Sequence, residues 1–378
     1  MCGLHSPCGI GGGLLMALAR WKRAARAVIV AAAGYAAVDP AVACTRAMFV
    51  GTDQVVITGR NMDWPEDMRS NLWAFPKGIA RDGAAGPKSI RWTSKYGSLI
   101  ATAYDVGSAD GMNEAGLVAN MLYLTEAQYG AADDRPTLAV SLWAQYALDN
   151  YATVAEAVDA FAKDTFRVVG GTIPNGAAAQ LHLALSDATG DSAILEHING
   201  KLVIHHSRDY VVMTNSPPFD QQLALDAYWK EIGGLTFLPG TNRASDRFVR
   251  ASFLIGSLAK TADPAFISAV PGQNFENQSA LGVLSVMRAV STPLGIKTPE
   301  TPNVSATLWR TVSDQKNRVV YFDSATSPNS FWVPLGDLDL KPGAPVKKLT
   351  IAGGRVYGGN AAAQFEAAKP FEFLRADP

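Results

Sequence analysis

Apolar and polar positions change rhythm several times along this chain, and each change marks an element. Residues 48–51 and 55–60 are two apolar, β-rich runs separated by Thr52-Asp53-Gln54, which predicts a strand, a turn and a strand. Residues 73–91 are punctuated by Gly and Pro and read as loops around short strands. Residues 98–104 and 116–124 predict further strands. Apolar residues at three- and four-residue spacing predict helices over 138–148 and 154–162, the second with Thr153 as its N-cap. Residues 181–185, 193–198, 202–205 and 210–214 read as successive strands, with Gly190 and Gly200 at the turns. Residues 246–258 and 281–290 again predict helices, and 273–279 a short polar loop. The tail returns to strands over 307–312, 319–323 and 331–333. Strand blocks alternating with helix blocks suggest antiparallel sheets layered with helices, an α+β arrangement.

The first 43 residues break this pattern. Arg20, Lys22, Arg23 and Arg26 form a positive cluster, residues 27–38 are apolar, and Ala41-Val42-Ala43 supplies small residues. This is the layout of a secretory signal peptide, so removal of residues 1–43 and export of a single domain, 44–378, are expected. The apolar run falls short of the roughly 20 residues that span a bilayer, and no second such run follows, so no integral membrane segment is expected. The alternative is an alanine-rich N-terminal helix of an intracellular protein.

The chain holds Cys2, Cys8 and Cys44. Cleavage after Ala43 removes two of them and leaves Cys44 as the first residue. A thiol and a free α-amine then share one residue, a nucleophile carrying its own base. An unperturbed α-amine titrates at about 7.7–8.0 and a free thiol at about 8.5, so proton exchange between two such groups is nearly thermoneutral. Ala41-Val42-Ala43-Cys44 is also close to a lipobox, which would acylate that amine and make a lipid-anchored binding protein. A lipobox usually places Leu where Ala41 stands.

Composition narrows the field. An apolar share of 48% with 18% charged residues fits a soluble globular protein. A net charge of −1 offers no basic field for nucleic acid. His182, His197, His205 and His206 lack metal-ligand spacing, and the chain has no Gly-x-Ser-x-Gly elbow. No metal or cofactor is expected. A homo-oligomer is compatible with all of this.

Cysteine chemistry on an amide needs a base, something to hold that base, and fixed donors for the oxyanion. Arg60 and Asp63, in Gly59-Arg60-Asn61-Met62-Asp63-Trp64, close the second predicted strand, which returns beside the first and brings them near Cys44. Asp63 is placed to accept from the α-amine and Arg60 to lower the thiol pKa. Asn215 ends a strand in Thr214-Asn215-Ser216-Pro217-Pro218-Phe219, where its amide would face an oxyanion. Arg247, in Ser245-Asp246-Arg247-Phe248-Val249-Arg250, offers a cation at a helix start. Taken singly, Arg60 and Asp63 also read as a surface ion pair, Asn215 as a turn former and Arg247 as a solvated helix start.

Together these motifs, with Cys44-Thr45 and Asp110-Gly111-Met112-Asn113-Glu114-Ala115-Gly116-Leu117, resemble the choloylglycine hydrolase family of N-terminal nucleophile hydrolases, which holds bile salt hydrolases and penicillin V acylases. The resemblance implies an αββα sandwich and cofactor-free hydrolysis of a linear non-peptide amide. It implies Cys44 as nucleophile, Arg60 and Asp63 beside it, Asn215 as oxyanion donor and Arg247 as a further active-site arginine. Tyr123 falls where the family places a pocket and oxyanion-hole residue; it is Tyr here, as in penicillin V acylases, where bile salt hydrolases typically carry Asn. The short connection between Asn215 and Arg247, the leader, and Trp64 directly after Asp63 are similar to the Gram-negative periplasmic branch. That branch is associated with penicillin V and long-chain N-acyl homoserine lactones more than with bile salts. Met62, Trp64, Met121 and Tyr123 would then line an apolar slot for the acyl group, although both methionines also read as ordinary core.

Overall fold

Backbone hydrogen bonds gather most of the strands into two large sheets. The computed structural model describes residues 44–234, 236–296 and 305–376; the leader expected over residues 1–43 lies outside them. The first sheet runs Val212–Thr214, Thr45–Val50 (β1), Val56–Trp64 (β2), Ala306–Asp314, Val319–Ser324, Ser330–Pro334 and Gly359–Asn360. All its neighbours pair antiparallel except the last two. The second, wholly antiparallel, runs Lys201–His206, Ser192–Ile198, Leu181–Ser186, Val118–Tyr123, Gly107–Asn113, Ser98–Ala103, Leu72–Phe75, Lys347–Leu349 and Glu366–Ala367.

The helices are Trp143–Asn150 (α1), Val154–Phe161 (α2), Phe219–Ile232 (α3), Ala244–Gly256 (α4) and Phe275–Ala289 (α5). α4 packs on β1, α5 on β2 and Ala306–Asp314, and α1 on Gly107–Asn113 and Val118–Tyr123. Side-chain alternation builds the layers. Thr58 and Arg60 face the second sheet, meeting Ser186 Oγ at 2.9 Å and Met121 O at 2.9 Å. Gly59 and Asn61 face α5, where Asn61 Nδ2 donates to Met287 O at 2.8 Å. In the second sheet, Leu99, Ala101, Val118 and Leu122 fill the space between the sheets, while Ile100, Ala119, Leu183 and Leu185 pack against α1 and α2. The result is helices, sheet, sheet, helices: an αββα sandwich.

A strand between two layers buries both faces, so it cannot show the in–out alternation of a half-exposed strand. All nine residues of β2 are buried, three of them Arg60, Asn61 and Asp63. The strand Gly107–Asn113 was not expected, because its small and polar residues resemble a turn. Its Gly111 is demanded by packing: a Cβ there would lie 2.7 Å from Ile100 Cγ2.

Two expectations are corrected, and one helix was not expected. The helix expected over 138–148 starts only at Trp143, because Thr137–Ala139 is a short strand paired with Arg167–Val169. The polar loop expected over 273–279 is largely the start of α5: Asn274 is its N-cap, its side chain accepting from Asn277 N at 2.8 Å. α3 carries no apolar signal because it buries Phe219 with the polar Gln222 and Asp226 and leaves Leu225, Tyr228 and Ile232 exposed. Thr153 caps α2 as expected, its Oγ1 accepting from Glu156 N at 3.2 Å.

Candidate active site

Register places the nucleophile candidate. Thr45 pairs with Asn61, so Cys44, one residue earlier, sits beside the end of β2. Its Sγ lies 4.0 Å from Met62 Sδ and 3.9 Å from Arg60 Nη2, and its S–H is 3.7 Å from the Asp63 carbonyl. Burial pushes the thiol pKa up; the Arg60 guanidinium draws it back and the Asp63 charge adds to the rise.

Arg60 is held by three contacts. It donates to Met121 O at 2.9 Å, approaches Met62 Sδ at 3.4 Å and stacks over the Trp309 ring at 4.7 Å. Arg60 and Asp63 are not a surface ion pair, being 1% and 0% exposed. The charge nearest Asp63 is Arg247, whose Nη1 lies 3.9 Å from Asp63 Oδ2. The Thr307 hydroxyl lies alongside, yet neither carboxylate oxygen has a hydrogen bond of ordinary geometry. Burial pushes the Asp63 carboxyl up to about 6 against the pull of Arg247.

Arg247 is fully buried at the start of α4, not solvated. Nη1 donates to the Cys44 carbonyl and to Thr45 Oγ1, Nη2 to Asn215 Oδ1 at 3.1 Å, and Nε to Asn242 O at 3.0 Å. Burial lowers its pKa, and Asp63 and the Cys44 thiolate oppose that. Asn215 Oδ1 also accepts from the Cys44 main-chain nitrogen. Its Nδ2 donates to Tyr123 O at 2.7 Å, which occupies one of the two amide hydrogens. Asn215 and Arg247 thus address the main chain of residue 44, while Arg60 and Met62 address its sulfur.

Cys44 opens onto a pocket walled almost entirely by apolar side chains. Met62, Trp64, Met121 and Tyr123 all line it, so the two methionines belong to the core and to the pocket at once. Trp64 and Tyr123 meet at 6.1 Å between ring centroids. Trp64 Nε1 donates to Tyr104 OH at 2.7 Å, and Tyr104 OH in turn contacts Glu66 Oε1. Tyr104 is held there by a tight turn in which it and Asp105 adopt φ of 54° and 51°. The Tyr123 hydroxyl bonds Gln180 Oε1 at 3.1 Å.

Every residue proposed from sequence converges here. Residues that sequence reasoning missed hold the shell. Gln222 donates from Nε2 to Asn215 O and Pro217 O and accepts from Thr214 Oγ1 at 2.9 Å. Its only signal is a glutamine one turn after Pro218, on a helix that itself went unseen. The histidines lie elsewhere: His182 and His205 face Glu196 at 2.9 and 3.5 Å, His206 faces Asp191 at 2.9 Å, and His197 packs between Tyr129 and Trp143. Among the described residues, no cluster of His, Cys, Asp or Glu has metal-binding geometry, and no helix is long and apolar enough to cross a membrane.

Two sheets sandwiched between helical layers, with a cysteine preceding the first strand, are the architecture of N-terminal nucleophile hydrolases. The model of linear amide C–N hydrolases, choloylglycine hydrolase family, matches residues 44–348. The chain is 46% identical over 349 residues to a penicillin V acylase from Pectobacterium atrosepticum, covering 88% of this chain and 92% of that protein. The solved penicillin V acylase from Agrobacterium tumefaciens superposes with a TM-score of 0.78 at 51% identity, covering 88% of this chain and 99% of that one. A conjugated bile acid hydrolase variant from Clostridium perfringens shares the fold, with a TM-score of 0.67 at 22% identity over 83% of this chain and 99% of that one. The chain belongs to the choloylglycine hydrolase family and is a linear amide C–N hydrolase of the penicillin V acylase type.

Proposed function

We propose that this enzyme is exported to the periplasm, loses residues 1–43, and uses Cys44 as an N-terminal nucleophile. The observation that carries the reading is the arrangement around the main chain of residue 44. Asn215 Oδ1 accepts from its nitrogen, Arg247 donates to its carbonyl, and Asp63 offers two buried, unpartnered carboxylate oxygens nearby. A cysteine activated by a side-chain base would need that base at its sulfur; here the polar groups gather at the backbone instead. The family match beginning at Cys44 supports the same reading.

In the proposed cycle the α-amine takes the thiol proton and Sγ attacks the amide carbonyl. The second Asn215 amide hydrogen and a backbone N–H hold the oxyanion. Collapse breaks the C–N bond as the α-ammonium gives its proton to the leaving amine, and a thioester remains. Water, deprotonated by the same amine, then releases the carboxylic acid and restores the thiol. Arg60 keeps the thiolate within reach of ordinary pH, and Arg247 fixes the Cys44 carbonyl.

The apolar pocket favours an apolar acyl group, so the substrates proposed are penicillin V and long-chain N-acyl homoserine lactones. The intact mass of the exported protein tests the maturation. A mass of unmodified Cys44–Pro378 supports it; retained leader residues, or added diacylglycerol and acyl groups, would end it. Rates on penicillin V, a long-chain N-acyl homoserine lactone and a conjugated bile salt then test the substrate class. Preference for the bile salt would replace it with bile salt hydrolysis.

A further inference from the structure

The pocket wall has a contributor from far along the chain. The family match ends at residue 348, yet Leu374 lines the pocket that Cys44 opens onto. Its segment is tied down on both sides. Leu374 N donates to Val106 O at 2.7 Å, Ser141 Oγ donates to Leu374 O at 2.7 Å, and Ala376 N donates to Ala84 O at 2.9 Å. Just before it, Phe371 packs on Trp73 at 5.2 Å and on Phe373 at 4.6 Å, and Arg81 lies 5.5 Å over the Phe373 ring. Val106 and Ser141 are themselves pocket residues, so both main-chain bonds of Leu374 anchor it to the wall it completes.

The geometry points to Leu374 as a specificity-determining residue: the C-terminal strap closes the acyl pocket, and the size of the side chain at 374 sets how long an acyl group fits. This rests on the reading of the pocket as the acyl site. The strap is held by main-chain hydrogen bonds and by two phenylalanines, so position 374 can change size without releasing it. A methylene gained or lost in an apolar pocket is worth about 10-fold or more in discrimination. Leu374→Ala removes three carbons from the wall, and Leu374→Phe adds bulk to it.

The test uses hexanoyl, octanoyl, decanoyl and dodecanoyl amides of one amine with the mature enzyme and both variants. The same amides are titrated for binding to Cys44→Ala alone and with each change at 374. Leu374→Ala should raise the dodecanoyl-to-hexanoyl ratio of kcat/KM by about 10-fold, and Leu374→Phe should lower it by a similar factor, with matching shifts in Kd. Chain-length profiles within about twofold of the parent in both variants, at unchanged melting temperature, would overturn the inference. Should Leu374→Phe fail to fold, Leu374→Ala alone decides. If the parent enzyme hydrolyses none of the amides, the proposed function fails. The Kd series then still decides the role of Leu374, because it needs no turnover.

Discussion

Freeing the amine of Cys44 should stabilise the protein in a pH-dependent way, and Asp63 sets the size of the effect. With residue 44 in peptide linkage, burial holds Asp63 at about 6 rather than its ordinary 3.8. An α-ammonium delivered to the two unpartnered oxygens favours the ionised form and returns the pKa to its ordinary value or below. That change of about two units is worth ~3 kcal/mol. The sign follows from proton binding. A carboxyl whose folded pKa is raised takes up an extra proton on folding, so stability falls as pH rises from about 4 to about 6 and stays reduced above that. Pairing removes this loss. The advantage of the free-amine form is therefore fully present near neutral pH, shrinks below about 6, disappears below about 4, and fades again once the amine itself deprotonates. The assay compares melting temperatures of the mature protein and its N-acetylated form across pH. At about 2.1 cal/mol/K per residue, ~3 kcal/mol corresponds to a gap of roughly 4 °C at neutral pH. A gap equally large at both ends of that pH range would refute the reasoning, as would a gap that survives Asp63→Asn.

Further outcomes are expected of single substitutions. Cys44→Ala removes one sulfur atom from a buried site and should abolish turnover while shifting stability by no more than about 1–2 kcal/mol; denaturant unfolding alongside a rate assay checks both. Gln222→Ala strips partners from Asn215 O, Pro217 O and Thr214 Oγ1, so stability should fall by at least ~1–3 kcal/mol and kcat should fall more than KM rises. Unchanged kcat below the transition would show that Asn215 holds its place without Gln222. Gly59→Ala would set a Cβ 2.6 Å from Met287 Cγ and 2.8 Å from Val283 Cγ1, and urea unfolding should report a loss of roughly 1–3 kcal/mol from forcing α5 off β2.

Much of the site was legible because strand pairing makes distant residues adjacent. Once the runs at 48–51 and 55–60 were read as a hairpin, Cys44 had to lie near Arg60 and Asp63, and the register agrees. What the residues did there was less visible. An arginine and an aspartate three apart look like a surface pair until β2 is known to be covered on both faces. α3 and Gly107–Asn113 escaped notice because one buries polar groups and the other is built from small ones, so neither leaves a periodic apolar trace. The tail strap left no trace at all, since nothing local in residues 368–376 says that they fold back onto a pocket begun at residue 44.

The burial of all of β2 has a consequence for altering this enzyme. Arg60 and Asp63 sit on an inner beam of the sandwich, hydrogen-bonded on both edges and packed on both sides, with no slack to absorb a changed side chain. Met62 and Trp64 bring this beam into the pocket wall as well, while other parts of the wall come from turns and from the strap, where change is local. Part of the selectivity is therefore adjustable apart from the chemistry: libraries confined to the pocket-lining residues Tyr104, Val106, Ile173 and Leu374, none of them on β2, can search for new acyl groups while leaving Arg60 and Asp63 untouched.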